Sequence, residues 1–198
     1  MQSVFRSMLL LSLTLGVSLA VSTPARADDQ AQSDVPRMAD VVITGIELYN
    51  PDSSRKRLGS GLGYITDEHA QHLFTQYYSK TGHELLTLFA GSTVKFKRSF
   101  KGYEIQHMDK KFLTARRVLR DVKQFETGKG IHLGISRGKL EEILGNPSRS
   151  SSADGSEVVH YELTDPNSSF LSQYSAKSYT ADYTFTHGAL TDAKVDLE

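Results

Sequence analysis

The chain has 198 residues, no cysteine, and 23 basic residues balanced by 23 acidic ones. The absent cysteine excludes disulfide staples and a lipid-carrying cysteine, so stability must come from a packed core. A balanced charge singles out no class of partner.

The first 27 residues read as a targeting segment. Arg6 supplies the positive end, and Met8–Val21 is an apolar run too short to span a bilayer comfortably. "STPARA" then sets Ala25 and Ala27 in the spacing that a signal peptidase accepts. No second apolar run follows. The expectation is export to the periplasm, or secretion, with no stable membrane span after cleavage. Residues 28–39 are polar, contain Pro36 and read as a disordered leader.

"DVVITGIELYN" (40–50) is rich in β-branched residues and predicts a first strand, closed by the turn signal Asn50-Pro51-Asp52. Residues 53–63 read as loop. Gly59, Gly61 and Gly63 lack both the dinucleotide spacing and the Lys-Ser/Thr of a Walker loop, so no cofactor is expected there. Residues 64–80 fit either a helix (Ala70, Leu73, Phe74, Tyr77, Tyr78) or a strand over Leu73–Ser79. Lys80-Thr81-Gly82 is good turn chemistry and favours the strand, paired as a hairpin with "ELLTLFA" (84–90). "TVKFKRSF" (93–100) and "YEIQHM" (103–108), separated at Gly102, predict an antiparallel pair with a basic outer face. Residues 112–126 fit a short amphipathic helix or extended chain equally well.

"ETGKG" (126–130) marks a module boundary between a β-rich region, 40–125, and an α+β region, 126–198. A helix over 137–144, a loop over 146–156 and strands over 157–163, 179–186 and 189–198 follow. The last two strands alternate apolar and polar residues about His187-Gly188. The fold class expected is α+β: antiparallel sheets, few short helices, and a C-terminal helix followed by a three-stranded meander.

"GISRG" (134–138) matches the Gly-x-Ser-x-Gly of a hydrolase nucleophile elbow, with His160 and His187 downstream. That elbow requires a buried parallel strand before it and a large α/β sheet around it. Glycines interrupt "IHL", and antiparallel strands follow. The alternative accounts for each neighbour: Ser136 is an N-cap, Ile135 and Leu140 form a hydrophobic staple, Leu140, Ile143 and Leu144 make an apolar stripe, and Gly145 and Pro147 end the helix. No catalytic residue is assigned.

Other chemistry is sparse. His69 and His72 would share a helical face but lack a third ligand, so no metal is expected. His83-Glu84 reads as a structural pair. Residues 94–123 carry ten basic residues against three acidic ones, and residues 141–198 carry the reverse. Lys95, Lys97, Arg98, Lys101, Arg116 and Arg117 are the candidate patch for an anionic partner, and export argues against nucleic acid. The opposed charges also allow self-complementation, within one molecule or in a homodimer.

"GIHLGISRGKLEEILGNPS", with the closing "YTFTHGALTDAKV", resembles the SmpA/OmlA module of BamE-like envelope proteins, which is similar in architecture to the repeats of β-lactamase inhibitory proteins. The resemblance covers roughly residues 128–198 and rests on Ser136, Leu140, Leu144, Gly145 and Pro147. It implies an interaction platform rather than a catalyst. The chain departs from that family in having no lipidated cysteine and in carrying the extra region 40–125. The expected function is therefore an exported, non-enzymatic binding or envelope-associated interaction module. A secreted enzyme inhibitor is the alternative, and a serine hydrolase using Ser136 ranks behind both.

Overall fold

The computed structural model describes residues 35–59, the backbone of 65 and 66, and residues 73–91, 99–108, 118–119 and 121–198. The signal segment, most of the leader, His69 and His72 lie outside the described residues. Asp34–Glu198 form one unit.

The expected first strand is two short ones, β1 (Val42–Ile43) and β2 (Ile46–Glu47). Thr44 and Gly45 both take positive φ (50° and 79°) and reverse the chain between them. That is the geometry of a tight hairpin turn, and its only strong sequence mark is Gly45. The expected loop after Asn50 is instead a helix, α1 (Pro51–Leu58). Asn50 caps it by accepting from the amides of Asp52 and Ser53, both at 3.1 Å. Pro51 opens the helix, and Arg55, Lys56 and Arg57 complement its C-terminal end. "PDSSRKRL" has almost no apolar stripe, so caps and charge, not periodicity, make this helix.

After β3 (Ile65–Thr66), β4 (Leu73–Ser79) and β5 (Glu84–Ala90) form the expected hairpin. β6 (Phe100–His107) runs straight through Gly102; residues 92–98, most of the first strand of the expected pair, lie outside the described residues. Gly102 is needed for closeness: a Cβ there would meet the Val195 carbonyl oxygen at 2.5 Å. β7 (Val118–Leu119) pairs in parallel with β4.

Helix α2 (Arg137–Leu144) forms over the expected residues, and Ser136 accepts from the Lys139 amide at 3.3 Å. Leu140 and Leu144 are buried in the core; each burial is worth about 1.5–3 kcal/mol. Gly145 ends the helix at φ 85°. Arg37 covers the helix's last carbonyls, donating to Glu142 at 2.5 Å and Ile143 at 3.3 Å.

The expected loop 146–156 contains a strand, β8 (Arg149–Ala153), paired with β9 (Ser156–Leu163). "RSSSA" has little strand propensity, and pairing to β9 supplies what the sequence lacks. The link to β10 (Tyr179–Thr186) holds a further helix, α3 (Ser169–Tyr174), which buries Phe170, Leu171 and Tyr174. β11 (Ala189–Leu197) follows.

One nine-stranded sheet results, in the order β3-β4-β5-β6-β11-β10-β9-β8, with β7 attached to β4. The chain is α+β, with a mostly antiparallel sheet and few short helices. β6 and β11, from either side of residue 126, are neighbours in it. On the inner face Tyr103, Tyr161, Tyr179, Tyr183 and Phe185 pack against α2, α3 and the segment Ala39–Leu48. Two of the tyrosine hydroxyls donate to backbone carbonyls: Tyr103 to Asp40 at 3.2 Å and Tyr161 to Gly145 at 2.9 Å. Burial pushes Tyr161 up to about 12. No described helix is long and apolar enough to cross a membrane.

Candidate interaction face

Side chains alternate across a sheet, so strands that bury tyrosines inward present their other residues outward. Register then decides which of these lie side by side. Gln76, Thr87, Glu104, Lys194, Asp182, His160 and Arg149 are successive Cα partners across β4, β5, β6, β11, β10, β9 and β8. From Glu104 to His160 the row alternates acid with base, and Arg149 at its end is a second base beside His160. Opposite charges directly across a strand pair contribute about 0.2–1 kcal/mol each. The described helices and Ala39–Leu48 pack on the inner side, so among the described residues no helix covers this row.

Three local arrangements give the face its character. Lys194 is exposed and holds its ammonium 5.7 Å from the centroid of the Phe89 ring, within range of a cation–π attraction. His160 Nδ1 lies 2.6 Å from Asp182 Oδ1, and its Nε2 lies 3.7 Å from Glu162. Asp192 hydrogen-bonds to Glu104; burial first, then that neighbouring carboxylate, push it up to about 7. Two carboxyl groups at this separation resist being ionised together.

The candidate basic patch is described only at Lys101, whose Nζ lies 3.2 Å from Asp196 and 3.7 Å from Glu198. There the basic and acidic segments neutralise each other within one molecule. Lys95, Lys97, Arg98, Arg116 and Arg117 lie outside the described residues. Asp196 is nonetheless raised, because burial outweighs Lys101.

The Ser136 hydroxyl is engaged by α2 and makes no hydrogen bond to His160 or His187. Tyr161 faces α2, so its neighbour His160 faces the other side of the sheet. The serine and that histidine are therefore not assembled as a nucleophile and base. Gly145 and Pro147 close the helix, and Ile135 packs against the core as the staple requires. Glu84, beside His83, is buried and accepts from the Phe125 amide at 2.6 Å, pinning 121–127 to β5. Desolvation raises it. Among the described residues no three His, Asp or Glu side chains are placed to hold a metal ion.

Two groups escaped sequence reasoning. Asp40 is buried and accepts from the amides of Lys129 (3.0 Å) and Val42 (3.4 Å), fastening the N-terminal segment to residues 127–130. Desolvation raises it. The other is the outward row itself, whose members are ordinary polar residues until register aligns them. At the tips of the β8–β9 and β10–β11 hairpins lies an open cleft of about 400 Å³, bordered by Arg137, Asp154, Glu157 and His187. Arg137 is committed there to Glu141 and Glu157.

No family model matches the chain, and no curated protein matches it. Among solved structures, a candidate β-lactamase inhibitor protein from Streptococcus mutans aligns at 16% identity. The alignment covers 74% of this chain and 82% of that one, with a TM-score of 0.25. A likeness that weak carries no functional argument. On the C-terminal sheet Tyr161, Tyr179, Tyr183 and Phe185 are all buried, while acidic side chains such as Glu162 and Asp182 reach solvent.

Proposed function

We propose that this chain is an exported, non-enzymatic interaction module that holds an envelope protein against the outward face of its sheet. The observation that supports this is the row of acidic and basic residues Glu104, Lys194, Asp182, His160 and Arg149, which crosses five adjacent strands on a face that no described helix covers. Its solvent-accessible members, Glu104, Lys194, Asp182 and Arg149, discriminate partners by sign, because like charges brought against them are penalised. The signal-like N-terminus accounts for the compartment. An enzyme inhibitor is one form of this function, in which the held partner loses its activity.

The test is capture of partners from the organism's own envelope extract. The wild-type chain and Ser136→Ala should retain the same protein, and the pair Asp182→Lys with Lys194→Glu should lose it. A catalytic activity that disappears in a folded Ser136→Ala variant would overturn the reading.

A further inference from the structure

The strand at one rim of the sheet is built unlike most exposed edges. Natural sheets blunt their edges with proline, a bulge, an inward charge or a covering element. β8 has none of these. Its five residues, Arg-Ser-Ser-Ser-Ala, are all exposed and pair with β9 in unbroken register. Among the described residues no strand pairs with its other side.

We propose that β8 pairs with β8 of a second copy of this chain, antiparallel about a two-fold axis at Ser151, so that two sheets join edge to edge. The inference does not depend on the outward face being a binding surface. It rests on how charge is placed along the strand. Arg149 opens β8 and Asp154 follows its last residue, while serines and one alanine lie between. Among the described residues neither Arg149 nor Asp154 has an ion-pair or side-chain hydrogen-bond partner. A two-fold axis at Ser151 reverses the strand and sets Arg149 opposite Ala153 of the second copy. Ala153 has only a methyl group, and Asp154, in the turn at φ 50°, is released from the strand's alternation, so the guanidinium has room to reach it one residue further on. The operation repeats the pair, so one surface satisfies both charges twice, as an isologous contact requires. Ser151 meets its own counterpart and Ser150 meets Ser152, without bulk or charge. A two-residue shift that set Arg149 against Ser151 would leave Asp154 unanswered, and the opposite shift would carry the pairing past the end of β8 into the turn. Because the axis is perpendicular to the sheet, both outward faces come to lie on the same side.

The full chain has no cysteine, so one introduced thiol reports one contact. Paired residues at the axis have Cα atoms about 4.5–5.5 Å apart, within the span a disulfide bridges. The expected results are a two-copy mass by sedimentation equilibrium and rapid dimeric cross-linking of Ser151→Cys under mild oxidation, with no such cross-link from Lys177→Cys. Arg149→Asp and Asp154→Arg should each weaken association about tenfold, and the double variant should recover to within about threefold of wild type. A chain that stays monomeric at every concentration overturns the proposal, as does a dimer indifferent to both reversals. Equal cross-linking from Lys177→Cys overturns it too, and so does a monomer that takes up extended peptides at β8.

Discussion

His160 and Asp182 face each other across β9 and β10, with the imidazole Nδ1 2.6 Å from a carboxylate oxygen. His160 is only 7% exposed, and Asp182 is the hydrogen-bond partner of its ring. Asp182→Ala leaves that nitrogen buried and unpaired, which should cost about 1–2 kcal/mol in urea unfolding. Asp182→Asn keeps an acceptor and should recover most of the loss. Equal loss in both variants would show that the hydrogen bond contributes little.

Asp192 should make stability depend on pH. Its folded value is raised to about 7 from 3.8, so the folded chain keeps a proton that the unfolded chain releases. Unfolding free energy from this group therefore falls as pH rises through that window, and levels off above it. Asp192→Asn should match the parent near the lower end and exceed it above pH 7 by about 1–2 kcal/mol, allowing for solvent screening at a partly exposed site. Unfolding curves for both chains across the window decide the matter.

Gly102→Ala should be among the costliest small substitutions. The added methyl would press on the Val195 carbonyl at 2.5 Å, and backbone in the centre of a sheet has little room to yield. A loss of about 1–3 kcal/mol is expected. Chemical-shift changes should concentrate along β6 and β11.

Ser136→Ala removes the cap of α2 and should destabilise the chain by about 1 kcal/mol, with Ser136→Asp restoring it. Thermal melts of the three chains check this. A catalyst would lose its activity in both variants, whereas a cap recovers with aspartate.

Elements whose own side chains carry the signal were legible in the sequence. The β4–β5 hairpin announces itself through apolar runs about Lys80-Thr81-Gly82, and α2 through Ser136, Leu140, Leu144 and Gly145. β10 and β11 alternate so regularly that burial follows directly. The failures share a cause: local sequence there is silent or misleading. α1 has caps without a stripe, β8 is a strand only because β9 pairs with it, and α3 is only six residues long, around Phe170 and Tyr174. Asn50-Pro51-Asp52 was readable as turn or as helix start, and only the amides of Asp52 and Ser53 bonded to Asn50 distinguish the two. The outward row was beyond reach for a different reason. Its seven members are scattered from Gln76 to Lys194, and only the pairing of six strand pairs brings them into line.

The pairing of β6 with β11 has a kinetic side. Gly102 and Asp196 are partners, so β6 emerges from the ribosome with on the order of ninety residues still to come before its neighbour exists. Closing so long a loop is slow, and such non-local topology places the chain among the slower folders. Until then β6 presents a bare edge of unpaired amides and carbonyls, flanked by Phe100, Tyr103 and Ile105. The half-made chain, rather than the finished one, is where aggregation threatens, and the interval before β11 docks during refolding is the time to look for it.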